Sequence, residues 1–141
     1  MTYSDIEIKA VISWPMDDIV ELYKAGGWWK SSYDPAGIPK LIKGSYLFVV
    51  VNQKQTGKAI GMGRILSDGV SDAYLQDIVI LPEFRGQGLG KQLITFLLDH
   101  CHSKGILWIA LIAEPGQDHF YRALNFKTMD GYVPMKYHSG E

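Results

Sequence analysis

Leu75–Lys91 reads LQDIVILPEFRGQGLGK, and its two halves call for different backbones. Ile78-Val79-Ile80-Leu81 is apolar, too short for a helix and rich in β-branched residues, the mark of a buried strand. Pro82 has no N–H for a sheet ladder and ends that strand. Glycines then fall at alternate positions in Gly86-Gln87-Gly88-Leu89-Gly90. From Leu89 onward, Leu93, Ile94, Phe96, Leu97 and Cys101 recur at helical spacing, so a helix starts inside the glycine loop. Strand, glycine loop and helix make a corner suited to phosphate. Glycine permits φ > 0 and leaves no Cβ to hold a ligand away. The first N–H groups of the helix lack internal partners, and the macrodipole adds positive character there. A pyrophosphate satisfies those donors directly.

Three kinds of loop share this outline. A Walker loop places four residues between its first glycine and Gly-Lys, then Ser or Thr for magnesium. Here Gly86 and Gly90-Lys91 are too close, and Gln92 stands where the hydroxyl belongs. The dinucleotide fingerprint needs a different third glycine and usually opens its domain, whereas this loop lies past mid-chain. The third kind is Arg-x-x-Gly-x-Gly after a strand and Pro-Glu-Phe, here Arg85-Gly86-Gln87-Gly88-Leu89-Gly90. It resembles the acyl-CoA-binding motif of the GNAT superfamily of N-acetyltransferases.

Outward from this stretch, Ile6, Ile8 and Ala10 alternate with polar residues and predict a strand. A helix is expected from Asp17 to about Ala25, with acids in its first turn and Gly26-Gly27 ending it. Trp28, Trp29 and Tyr33 follow, then a short helix carrying Ile38, Leu41 and Ile42. Tyr46–Val51, Ala59–Leu66 and Asp72–Leu81, separated by turns at Gln55-Thr56-Gly57 and Ser67-Asp68-Gly69, predict an antiparallel meander. After the glycine-loop helix, Ile106–Ile112 is apolar at every position and reads as a central strand covered on both sides. A strand, crossover helix and strand run parallel. The fold class is therefore α/β, with a mixed sheet, an antiparallel N-terminal meander and one parallel pair. A short helix carries His119–Leu124, and Tyr132–Tyr137 is expected as a closing strand.

At 141 residues the chain suits one domain, read here as spanning 1–141. Apolar residues make 47% and charged residues 21%, ordinary values for a globular protein. The net charge of −1 offers no field for nucleic acid or an anionic membrane surface. The sole cysteine, Cys101, excludes an internal disulfide and a cysteine-based metal framework. It reads as a small core residue rather than a nucleophile. MTYSDIEIKA lacks the pattern of a signal peptide, and Ile106–Ala113 falls short of the roughly 18 apolar residues of a membrane span. A cytoplasmic protein is the expectation.

The order of elements also resembles the GNAT order, and the tail adds a match. Phe120-Tyr121-Arg122-Ala123-Leu124-Asn125-Phe126 is similar to the family's Phe-Tyr-x-x-x-Gly-Phe signature, with Asn125 for Gly. Asn also tolerates a left-handed backbone at a helix end. The resemblance covers nearly the whole chain. It implies acetyl-CoA as cosubstrate and no metal. In that frame Ile78, Val79 and Ile80 pair with the pantetheine arm, in a slot opened by splaying of the parallel strands. Amides from Arg85, Gly86, Gln87, Gly88, Leu89, Gly90 and Lys91 hold the pyrophosphate. The N–H near Ile78 steadies the thioester oxygen. Lys91 opposes the macrodipole, which suits a site for an anion; a solvated lysine is the plain alternative.

Tyr121 corresponds to the family tyrosine that protonates the departing thiolate, a task a phenol can perform; packing on the core is its alternative role. For the base that deprotonates the amine, Asp77 is the first candidate and His119 the second, with Glu83 and Glu114 more distant. Strand alternation points Asp77 away from the cleft unless a β-bulge reverses it. Trp28, Trp29 and Tyr33 fall where the family's first helices line the acceptor, and aromatic faces there suit an aromatic or alkyl ammonium; ordinary packing is the competing account. Ser67-Asp68-Gly69, Asp77-Ile78-Val79-Ile80 and Pro134-Met135-Lys136 resemble the small bacterial and plastid branch, which includes arylalkylamine acetyltransferases. His100 and His102 face apart on a helix and form no metal pair. The resemblance thus implies acetyl transfer to a primary amine by direct attack. A non-catalytic acyl-CoA binder and a protein lysine or N-terminal acetyltransferase are the alternatives, and exposed sheet edges suit a homodimer.

Overall fold

A computed structural model describes residues 5–140, and the chain divides into two compact units after Ala110. In the first, β1 (Ile6–Ala10), β2 (Leu47–Gln53), β3 (Ala59–Ser67), β4 (Asp72–Ile80) and β5 (Trp108–Ala110) form one sheet in sequence order. β1 to β4 are antiparallel, and β5 joins β4 in parallel. Helices α1 (Met16–Ala25), α2 (Ile38–Gly44) and α3 (Leu89–Ser103) complete the unit.

Local chemistry explains these bounds. α1 has Asp17 and Asp18 in its first turn and Lys24 in its last, matching the helix dipole. Asp18 also accepts from Trp14 Nε1 and from the Ala59 amide, both at 3.0 Å, tying the start of α1 to β3. The Asp34 carboxylate caps a 3₁₀ turn at Pro35–Gly37 that leads into α2. On α3, Leu89, Leu93, Ile94, Leu97 and Cys101 form the buried stripe. Leu93, Ile94 and Leu97 are 0% exposed, and each contributes at most about 1.5–3 kcal/mol by leaving water. Phe48, Val50, Ile60, Met62 and Ile65 fill the core from the sheet.

The feature that matters most for function lies between β3 and β4. Met62 faces Val79 and Arg64 faces Gln76, so Gly63 alone stands opposite Asp77 and Ile78. This is a β-bulge, with one extra residue on β4. Asp77 adopts φ 58°, a left-handed conformation uncommon outside glycine. A Cβ on Gly63 would meet Ile78 Cδ1 at 2.7 Å and Leu97 Cδ1 at 3.2 Å, so Ile78 points at α3. Leu75 is buried two residues earlier, and unbroken alternation would have sent Asp77 to the α3 side with it.

Two expectations are corrected. Ile106–Ile112 is not a doubly covered central strand: β5 spans only Trp108–Ala110 and lies at the sheet edge. Leu107 and Trp108 are exposed. An apolar run does not reveal strand order, and periodicity cannot separate a covered strand from an open one. In the second unit Tyr132–Tyr137 forms no strand; Tyr132, Val133, Met135 and Tyr137 are exposed. Alternation there has no partner ladder among the described residues. This unit holds α4 (Asp118–Arg122), capped at Ala123, and Asn125 follows at φ 71°.

Candidate active site

The corner after β4 is built as the glycines require. Pro82–Phe84 forms a 3₁₀ turn, Gly86 takes φ 81° and Gly88 takes φ 82° at the N-cap of α3. No side chain caps α3, and its first intrahelical bond runs from the Gln92 amide to the Gly88 carbonyl at 3.2 Å. The amides of Leu89, Gly90 and Lys91 precede that bond and have no partner inside the helix. Lys91 is exposed in the first turn. Arg85 turns inward: its Nε donates to the Ile80 carbonyl at 2.8 Å, fastening the loop to the end of β4.

β5 pairs with β4 only from Asp72 to Tyr74. From Leu75 to Ile80, β4 runs on without β5 beside it, so the edge carrying Ile78, Val79 and Ile80 is not taken by that strand. Left-handed glycines, an uncapped helix start and an open strand edge together fit a diphosphate with an extended amide-bearing arm.

The bulge turns Asp77 toward α1. Its Oδ2 accepts two hydrogen bonds, from Tyr23 Oη and from Arg64 Nε, each 2.7 Å long. Arg64 reaches further to Ser45 Oγ and Gln76 Oε1, each at 3.4 Å. The Arg64–Asp77 pair is largely shielded from water, with side chains 17% and 20% exposed. Burial pushes the Tyr23 phenol far above its ordinary pKa, and the adjacent Asp77 charge adds to the shift.

Tyr23 joins the aromatic residues to this cluster. Its ring lies 6.2 Å from Trp28 and 6.5 Å from Trp29, and Trp29 meets Tyr33 edge-on at 5.5 Å. Trp28, Trp29 and Tyr33 thus sit in one aromatic chain that ends at the Asp77 carboxylate. Tyr33 is exposed, with Lys30 Nζ 6.0 Å from its ring centre.

In the second unit, Tyr121 packs edge-on against Phe120 at 5.0 Å and Phe126 at 5.7 Å. The amides of Leu124 and Phe126 both bond to the Tyr121 carbonyl, closing α4 around it. Burial raises the Tyr121 phenol above its ordinary pKa, and the Glu114 charge raises it further. His119 is exposed on the same short helix, and Glu83 is exposed in the 3₁₀ turn.

Sequence reasoning gave no functional role to Tyr23, inside the expected helix from Asp17, or to Arg64, inside the expected strand Ala59–Leu66. The one available signal was a tyrosine at an inward helix position, since a buried phenol needs a partner for its hydroxyl. It also missed Tyr74 and Trp108, which meet edge-on at 5.5 Å and stay 47% and 44% exposed. Tyr74 lies two residues before Gln76 and so shares the face of the Arg64 cluster. Among the described residues no group of acids, histidines and cysteine is placed to hold a metal ion. Nor is any helix there long and apolar enough to cross a membrane.

A family model described as the acetyltransferase (GNAT) family matches residues 9–126. An N-acetyltransferase of Pyropia yezoensis, ycf52, is 32% identical over 136 residues, 94% of this chain and 77% of that protein. A chloroplastic serotonin N-acetyltransferase 2 of Oryza sativa subsp. japonica is 39% identical over 70 residues, half of this chain and 35% of that protein. Among solved structures, a GNAT-family protein from Streptococcus pneumoniae superposes with a TM-score of 0.78 at 24% identity, covering 96% of this chain and 99% of the other.

Proposed function

Because this chain belongs to the GNAT family and is an acetyl-CoA-dependent N-acetyltransferase, we propose that its acceptor is a small primary amine with an apolar or aromatic body. The observation that carries the proposal is the aromatic chain Tyr33–Trp29–Tyr23 ending at the Asp77 carboxylate. Ring faces attract an ammonium ion; the Asp77 charge at their end is balanced by Arg64, so the rings supply the attraction and Asp77 the polar end of the chain. The partial match to a protein named for serotonin acetylation is consistent with an arylalkylamine.

In this reading residues 1–141 act as one catalytic domain. Ile78, Val79 and Ile80 pair with the pantetheine arm, and amides from Arg85 to Lys91 receive the pyrophosphate. The acceptor ammonium gives a proton to Asp77 through a water, with His119 as the second candidate. The freed nitrogen lone pair attacks the thioester carbonyl carbon, and the oxygen that gains charge is held by the N–H near Ile78. The C–S bond then breaks, and Tyr121 protonates the departing thiolate. A phenol of ordinary pKa, about 10, is already protonated at neutral pH, as an acid must be, and burial moves Tyr121 further the same way. No acyl-enzyme forms, and Cys101 is buried away from solvent. A cytoplasmic setting belongs to the same reading, as does a homodimer formed through an open sheet edge.

The test is a panel of amines assayed for coenzyme A release, with Tyr121→Phe beside the native chain. We expect turnover with arylalkylamines and a loss of about 10²-fold or more in kcat for Tyr121→Phe, with coenzyme A affinity retained. Turnover only with protein lysines or N-termini would overturn the small-amine reading. Tight coenzyme A binding with no turnover of any acceptor would make the chain a binder instead.

A further inference from the structure

We propose that Tyr23 and Arg64 are positioning residues that act through Asp77 to set the backbone of β4 for acyl transfer. The inference rests on the reading above that Ile78 and Val79 present their backbone to acetyl-CoA. It extends that reading to two side chains on other elements.

The extra residue on β4 is Asp77 or Ile78, both opposite Gly63 alone. In a regular strand the Asp77 carboxylate would point toward Leu93 and Leu97 of α3, which are 0% exposed. A charged group there would lose its water and gain no partner, which is strongly unfavourable. On the α1 side the same carboxylate receives Tyr23 Oη and Arg64 Nε, both at 2.7 Å and on one oxygen. The bulged strand therefore satisfies the carboxylate and the regular strand does not. This difference holds a non-glycine residue at φ 58°, a conformation that persists only where its surroundings over-determine it.

The donors are themselves fixed. Tyr23 is 7% exposed, on a helix tied by Asp18 to the start of β3. Arg64 sits on β3 directly opposite Gln76 and also reaches Ser45 at the end of α2. One helix and a neighbouring strand thus converge on one carboxylate oxygen, and the end of α2 holds the Arg64 side chain in turn. Shifting that oxygen rotates the peptide that follows Asp77, whose N–H belongs to Ile78. The clamp therefore controls the direction of the amide assigned to the thioester oxygen.

The test uses the full ¹⁵N-labelled chain with coenzyme A, as native protein, Tyr23→Phe, Asp77→Gly and the double variant. Glycine takes a left-handed backbone without a clamp, so Asp77→Gly uncouples the bulge from Tyr23. We expect Tyr23→Phe to lower kcat about tenfold, with KM for acetyl-CoA within about twofold of native, as loss of positioning should. The Ile78 and Val79 amide resonances should move in Tyr23→Phe, and adding Tyr23→Phe to Asp77→Gly should move neither. Arg64→Lys, which keeps the charge but not the Nε geometry, should displace the same two resonances. The proposal is overturned if Tyr23→Phe leaves kcat and both resonances unchanged, or displaces them equally in the Asp77→Gly background. A native chain that acetylates no amine would defeat the functional reading alone, since the resonances still decide whether the clamp exists.

Discussion

Replacing Gly86 with alanine isolates the backbone requirement of the glycine loop. Gly86 has φ 81°, and a Cβ built there meets nothing within 4 Å. Protein neighbours therefore contribute nothing, and in the free chain the whole effect is conformational. A non-glycine residue in the left-handed region costs about 1–2 kcal/mol. If the free loop keeps its conformation, that cost appears as lost stability, a Tm decrease of about 2–8 °C for a chain of this size. If the free loop relaxes and returns only on binding, the cost appears in affinity, as a rise of about 5–30-fold in the coenzyme A Kd. The two routes close one thermodynamic cycle, so the saturated complex must lose about 1–2 kcal/mol either way. Calorimetric titration gives the Kd, and scanning calorimetry with and without saturating coenzyme A gives both stabilities. Gly86→Asn should lose less, because asparagine enters the left-handed region more readily. A saturated complex of Gly86→Ala as stable as native would refute the argument, since the bound loop would then need no left-handed residue.

Other perturbations follow from the same geometry. Gly61→Ala brings a Cβ to 2.5 Å from Ile80 Cδ1, 3.1 Å from the Val79 carbonyl oxygen and 3.3 Å from Val51 Cβ. The overpacked sheet should lose about 1–3 kcal/mol in urea denaturation. Cys101 is 0% exposed, and burial raises its thiol pKa; the native chain should resist a thiol reagent until unfolded, and Cys101→Ala should keep full turnover. Burial lowers the His100 pKa, with the Lys104 charge adding to it. Its folded value lies below its unfolded one, so the stabilising contribution is present above the unfolded pKa of about 6.5 and is lost as pH falls through the folded value. Denaturation midpoints between pH 7 and 5 should therefore fall less steeply in His100→Gln than in the native chain.

Where local chemistry decides an element, the sequence was enough. The acids before Ile19 and the glycines after Ala25 bracket α1 within a residue of its observed Met16–Ala25. The three meander strands follow from β-branched runs and Asx-type turns such as that at Asp68, whose carboxylate accepts from the Val70 and Ser71 amides. The glycine corner was legible because its backbone needs particular residues, and Asn125 took the left-handed conformation expected of it. Strand order was not legible. Ile106–Ile112 reads the same whether helices cover it or it lies at an edge. The Tyr23–Asp77–Arg64 cluster was hidden for another reason: Tyr23 and Asp77 are 54 residues apart, and no local pattern encodes which distant donor a carboxylate will meet. A bulge at Asp77 could be named as a condition for the site, but only the paired register of β3 and β4 locates it.

The bulge also divides β4 into two segments of opposite phase. Up to Gln76, even-numbered residues look toward the face that carries α1; beyond it, Ile78 looks toward α3. The earlier segment displays Tyr74 and Gln76, while the later one carries the amides that lead into the glycine corner. One strand therefore presents side chains of the same parity to opposite faces of the sheet, and Arg64, which reaches both Gln76 and Asp77, spans the point where the phase changes.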